Sequence, residues 1–186
     1  MTQLPSSTKF TYEDYLLFPA DGKRHELIDG EHFVTPAPIT KHQRISGNLF
    51  LSLGTYIQKT TWGQLFTAPT DVVLSDLDVV QPDLVFLSAA RASFVTEKNI
   101  QGSPDLVVEI LSESSRKTDE IIKRKLYERH QIQEYWIIDP ELETVKVYQL
   151  FAQGYSRTAE LSIENSETLT SPLFPDWHLP LRALFG

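Results

Sequence analysis

Two carboxylates stand where carboxylates are expensive. In Leu106-Val107-Val108-Glu109-Ile110-Leu111 a single acid interrupts an otherwise apolar run, and an unpaired charge inside such a run costs roughly several kcal/mol. Glu109 therefore needs a partner. Asp83 stands in a second run of the same kind, Val79-Val80-Gln81-Pro82-Asp83-Leu84-Val85-Phe86-Leu87. Pro82 fixes φ and withholds a donor, which suits a strand start or a bulge that turns Asp83 into a cleft. Two acids on neighbouring strands repel unless a cation or a proton lies between them. The chain has no cysteine, so thiolate zinc sites, disulfides and a thiol nucleophile are excluded, and hard oxygen ligands favour Mg²⁺ or Mn²⁺.

Side chains alternate along a strand, so Asp105, Val107, Glu109 and Leu111 share one face. A lysine beside a metal is expected at position 111, where this chain has leucine; the cation must come from elsewhere. On the helix expected to follow, residues at 100° intervals place Ile121, Ile122 and Leu126 on the apolar face, with Lys125 between the two isoleucines and Lys123 and Arg124 projecting away. Lys125 is thus the candidate to reach back over the strand end. Arg129, one turn on, projects to the same side.

The elements that must carry these groups can be read coarsely. Thr11-Tyr12-Glu13-Asp14 opens a short helix through a capping box, after which Leu16, Leu17 and Phe18 are expected to pack inward. His25 to Val34 reads as two strands joined at Asp29-Gly30, a pair that tolerates positive φ. Ile45, Leu49, Leu53 and Ile57 recur every four residues and predict a helix from His42 to Ile57. Strands are expected at 64–74, 79–87, 105–111, 134–138 and 145–150, with a polar helix from about Ser115 to Arg129. The tail, Pro172 to Phe185, should lie across the core and end in a short helix. The order implies an α/β fold with a mixed β-sheet flanked by helices.

The 186 residues, 41% hydrophobic and 23% charged, fit one folded domain, with a core of about 12–150 and an extension of 151–186. No apolar run approaches the ~18 residues that cross a bilayer. The polar start lacks the order of a signal peptide, which points to a cytoplasmic protein without a membrane partner. Seventeen basic against 25 acidic residues give a net charge of -8, the wrong sign for a general nucleic-acid coat, so any contact with DNA must be local.

Pro82-Asp83, Glu109-Ile110-Leu111 and Lys125 resemble the PD-(D/E)XK nuclease signature with its lysine displaced onto the next helix. His25-Glu26-Leu27-Ile28-Asp29-Gly30-Glu31, Gly102 to Ser112, Lys125 with Tyr127, and Glu134-Tyr135-Trp136-Ile137-Ile138-Asp139-Pro140 resemble more closely the Uma-two family of small restriction-endonuclease-like proteins. The likeness runs from about Tyr12 to Val147 and more loosely into the tail. It implies a restriction-endonuclease-like fold and hydrolysis of phosphodiester bonds, in DNA before RNA, with Mg²⁺ or Mn²⁺ held by Asp83, Glu109 and the Ile110 carbonyl. Lys125 then orients water or neutralises the developing charge. Glu26 matches the family's early acid, and His42 a recurrent histidine that contacts phosphate or shuttles a proton. Nucleases of this kind often act as homodimers, although no seam in the chain marks one.

Simpler roles compete with each of these. Glu109 and Lys125 can form a structural ion pair, and Asp83 can cap a turn. Glu26 can face solvent, and His42 can make a helix-start hydrogen bond. Asp105 is about 13 Å along the strand from Glu109, at ~3.3 Å per residue, and better suits a strand-start role. Lys41, His42 and Arg44, and Lys117, Lys123 and Arg124, read as solvated basic spots. Tyr127, Tyr135 and Trp136 read as core. The alternative to a nuclease is an inactive domain of the same fold that binds nucleic acid or protein; hydrolysis of another phosphoester ranks third.

Overall fold

The computed structural model describes residues 9–186; the polar start, residues 1–8, lies outside them. The chain opens with α1 (Tyr12–Tyr15), and the capping box forms as its residues require: Asp14 accepts from the Thr11 N–H at 2.8 Å, and Thr11 Oγ1 accepts in return. Leu16 and Leu17 do not pack inward. They are 62% and 83% exposed, because α1 ends after one turn and it is Tyr12, Tyr15 and Phe18 that reach the apolar cluster around Leu27 and Val79.

β1 (Arg24–Ile28) and β2 (Glu31–Thr35) form the expected hairpin. Asp29 and Gly30 both take positive φ, 54° and 74°, as its two-residue turn requires. The long helix α2 (Thr40–Thr60) buries Ile45, Leu49, Leu53 and Ile57 as the four-residue period predicts.

Both long apolar runs divide. Residues 64–74 give β3 (Gly63–Thr67) and β4 (Val72–Ser75), and residues 79–87 give β5 (Asp78–Val80) and β6 (Leu84–Ser88). The second break falls at Gln81-Pro82-Asp83, where proline cannot donate to a ladder. There the chain leaves one sheet and enters another. After β7 (Ile100–Gln101) come β8 (Leu106–Ile110), a π-helical turn at Thr118–Lys123, α3 (Arg124–Arg129), β9 (Glu134–Asp139), β10 (Thr144–Phe151) and β11 (Gly154–Ser162). The tail adds β12 (Thr168–Thr170), β13 (His178–Pro180) and α4 (Leu181–Phe185).

The smaller sheet has the order β2-β1-β5-β4-β7 and the larger β11-β10-β9-β8-β6-β3. Both are mixed: β8 and β9 run parallel, as do β4 and β7, and the remaining pairs are antiparallel. Alternation along the central strands divides the core. On one face Leu106, Val108 and Ile110 meet α2 and the tail, with Phe174, Trp177, Leu184 and Phe185 closing that side. On the other, Val107 and Leu111 meet Leu126 and Tyr127 of α3 together with Val80 and Ile100 of the smaller sheet. Glu109 has the parity of this second face, so it points toward α3 and the gap between the sheets. Among the described residues no helix is long and apolar enough to cross a membrane.

Candidate active site

The gap between the two sheets opens into a cavity of about 690 Å³. Arg24 and Glu26, two apart on β1, turn to the same side and enter it from the smaller sheet. Asp83 enters from the joint between β5 and β6, Glu109 from β8, His42 from the first turn of α2, and Asp119 and Lys123 from the π turn. Of the residues singled out in the sequence, Asp83, Glu109, Glu26, His42 and Ile110 all line this cavity.

Lys125 does not. It is exposed on the far side of α3 and lines a separate cleft with Arg124, Glu128 and Arg129. The inward lysine is Lys123, 4% exposed. Two physical effects account for the exchange. The helix enters as a π turn, whose wider hydrogen-bonded ring gives less rotation per residue than 100°. Its inward stripe is also polar at that end, carrying Asp119 and Lys123, so apolar residues alone misplace it; Ile121 is left 46% exposed. Lys123 is thus no solvated surface charge. The missed signal was the Asp119–Lys123 pair at i, i+4, continued inward by Leu126 and Tyr127. Arg24 was also missed, though its parity with Glu26 marks it.

Lys123 Nζ donates to Glu26 Oε1 at 2.8 Å and to Glu109 Oε1 at 3.0 Å, with Asp119 Oδ1 at 3.6 Å. Tyr127 Oη donates to Glu109 Oε1 at 2.7 Å, so this core tyrosine also reaches the site. Glu26 Oε1 further accepts the Gln81 N–H at 2.8 Å. Around Asp83, Arg24 Nη1 approaches Oδ1 at 2.6 Å, while Oδ2 meets His42 Nε2 at 3.0 Å and the Ile110 N–H at 2.7 Å. His42 therefore binds Asp83 rather than helix backbone. Asp105 lies outside the cavity and holds the strand start, accepting from the Ser88 N–H at 2.7 Å beside Arg91.

The electrostatics are unbalanced. Burial pushes the Glu109 carboxyl well above the usual carboxylate range; Lys123 opposes this, and Asp119, Asp83 and Glu26 add to it. Asp119 is raised to about 6, again chiefly by burial. Burial acts against the charge on Lys123, but Glu109, Glu26 and Asp119 outweigh it and raise its pKa well above normal. Burial also works against Asp83, yet His42, Arg24 and the Ile110 N–H hold it below its ordinary value. Four carboxylates face two permanent cations, an excess that a proton or a further cation can neutralise.

Among the described residues no three His, Asp or Glu side chains converge as ready metal ligands. The donor chemistry nevertheless suits a hard divalent ion: carboxylate oxygens in excess of the cations facing them, and a buried Asp119 Oδ1 without a hydrogen-bond partner among the described residues. Among the described residues His42 Nδ1 is likewise buried and without a hydrogen-bond partner.

Mixed sheets flanked by helices, with acids and a lysine gathered between them, define a restriction-endonuclease-like α/β protein. The chain belongs to the Uma2 family, described as "Putative restriction endonuclease", whose model matches residues 12–182. Among solved structures, it is similar over 95% of its length to 97% of a protein from Anabaena variabilis ATCC 29413 described as a "putative nuclease belonging to DUF820". The identity is 22% and the TM-score 0.79, a likeness of fold. A fainter likeness, at 11% identity and a TM-score of 0.42, pairs 81% of this chain with 16% of the type IIG restriction endonuclease BpuSI. Comparison with curated proteins gave no match.

Proposed function

We propose that the protein is a divalent-metal-dependent endonuclease that hydrolyses phosphodiester bonds in DNA. The observation that carries this reading is the convergence of Asp83, Glu109 and Lys123 on the floor of one cavity. Asp83, Glu109 and the Ile110 carbonyl would hold Mg²⁺ or Mn²⁺, which when bound polarises a phosphoryl oxygen and acidifies water.

The chain's own groups do the rest. Arg24, His42 and the Ile110 N–H keep Asp83 ionised and fix its orientation. Glu26 holds Lys123 from the opposite sheet, so the ammonium stands ready to orient the attacking water or to offset charge as the P–O bond to water forms and the bond to the leaving oxygen breaks. His42 Nδ1, free of other partners, can pass a proton or donate to phosphate. Tyr127 fixes the Glu109 carboxyl.

The test is DNA cleavage by purified protein with Mn²⁺ or Mg²⁺. Cleavage should disappear with chelator and in Glu109→Gln, Asp83→Asn and Lys123→Gln, each folded by circular dichroism. A wild type inert on DNA, with no calorimetric Mn²⁺ binding, would overturn the reading. One observation favours a non-catalytic binding domain instead: both oxygens of Asp83 are engaged by the protein's own groups. Unchanged partner binding by Glu109→Gln, without any effect of metal, would favour that alternative.

A further inference from the structure

The rim and walls of the cavity restrict what can reach its floor. Glu109 and Lys123 are only 2% and 4% exposed, so a phosphate must descend between two walls to meet them. One wall is the segment 35–39 linking β2 to α2, Thr35-Pro36-Ala37-Pro38-Ile39. The other is the turn after β8, where Ser112 Oγ meets Ser114 Oγ at 3.1 Å and Ser115 Oγ at 3.0 Å. The first wall is apolar and the second is lined with hydroxyls.

Ile39 is the informative residue. It occupies the N-cap of α2, where Ser, Thr, Asp or Asn would satisfy an orphan N–H, and it makes no side-chain cap. It is instead 70% exposed at the cavity mouth. Helix stability does not explain an isoleucine there, whereas an apolar contact with something entering the cavity does.

Charge narrows the class of ligand. Glu113 and Glu141 stand on the rim, and Lys41, the cation of that rim, lies 3.5 Å from Glu143. Duplex DNA brings two backbones and one negative charge per ~1.7 Å of axis, and binding it requires a basic track to replace counterions. Among the described residues no such track lines this cavity: Arg24 is paired with Asp83, Lys41 with Glu143, and Lys123 with Glu26 and Glu109. A single strand has the lower charge density and can turn a base aside, and every base offers a flat apolar face. A volume of about 690 Å³ lies within the range of pockets that bury most of a small ligand, and a nucleotide with its base is of that class.

We infer that the cavity takes single-stranded DNA, one base lying on Ile39 and the Pro36–Pro38 wall while its phosphate reaches the floor beside the Ser112–Ser115 turn and Lys123. The inference rests on the nuclease reading for its chemistry, but strand preference can be measured without cleavage. Fluorescence anisotropy of the chelated protein with one labelled oligonucleotide, single-stranded or annealed to its complement, should show the single strand bound about tenfold more tightly. The salt dependence should be shallow, because apolar contact rather than phosphate neutralisation carries the binding.

Ile39→Ser supplies a cap, so it should keep or raise the melting temperature while lowering single-strand affinity severalfold. Leu17→Asp, at a still more exposed leucine outside the cavity, should leave the preference as it is. Equal or tighter binding of duplex, no binding of either form, or an Ile39→Ser protein with wild-type preference would each overturn the inference. Hydrolysis of a small phosphodiester with Mn²⁺ reads the chemistry separately. A protein that cleaves neither this probe nor DNA and binds no Mn²⁺, but is selective for single strands, would refute the nuclease reading and leave this one standing.

Discussion

Asp78 and Glu109 are both buried acids on strands facing the same α3 region, and they are handled in opposite ways. Asp78 accepts from the Asp29 N–H at 2.7 Å, Ser75 Oγ at 2.8 Å, His130 at 2.9 Å and Arg129 at 3.0 and 3.1 Å. Against the cost of burial, His130, the Asp29 N–H, Ser75 and Arg129 hold its carboxyl well below the ordinary carboxylate range. It fastens the β1–β2 turn, β5 and the end of α3. Glu109 shares one lysine with two other acids and is pushed the other way. A satisfied acid is a fastener; an under-compensated one lining a cavity is poised to gain a partner.

The contrast can be broken most forcefully at Lys123. Lys123→Gln should lower kcat/KM on DNA by about 10²–10³-fold, the scale of removing one transition-state donor, as measured by initial cleavage rates under saturating Mn²⁺. The stability difference comes next. Asp78→Ala should cost on the order of 3 kcal/mol by strandeing partners built around a charge, whereas Glu109→Gln should stay within about 1 kcal/mol of wild type, since Lys123 keeps Glu26. Urea melts of the two variants decide it, and equal losses would erase the distinction.

Proton linkage sharpens it further. The raised Asp119 carboxyl, about 6 when folded against 3.8, binds its proton more tightly in the native state. Its contribution is therefore complete below 3.8 and fades as pH rises through about 6. Asp78 has the reverse sign: its depressed carboxyl contributes above its unfolded value and is lost as pH falls below about 4 toward its folded pKa. Without metal, Asp119→Asn should flatten the fall in melting temperature between about pH 4 and 6 and add on the order of 1–3 kcal/mol at neutral pH. The smallest effect belongs to Lys125→Ala, which should change stability by no more than about 0.5 kcal/mol and leave cleavage unaltered.

How far the sequence could be read follows from what each residue type signals. Glu109 and Asp83 were legible because an acid in an apolar run is a chemical anomaly, and Glu26 and His42 because they belong to a family pattern; all four line the cavity. The hairpin turn and the α2 stripe were legible because glycine-compatible φ and a four-residue period each have a single structural meaning. The lysine was misassigned because a face that binds charge does not advertise itself by hydrophobicity, and a π turn shifts the phase as well. The division of 79–87 into two strands was hidden for a related reason. Val79, Val80, Leu84 and Val85 are all buried, so nothing in their character says that the ladder changes partner at Pro82. Leu16 and Leu17 show the converse, apolar residues with nothing to cover them.

That change of partner at Pro82 has a mechanical corollary. Arg24 and Glu26 belong to one sheet and grip Asp83 and Lys123, which are tied to Ile110 and Glu109 of the other, so the cavity floor is also a rivet line. Whatever lodges there will redistribute the clamping between the two halves. Amide exchange in the hairpin 24–35 should then report occupancy at a distance from the chemistry itself.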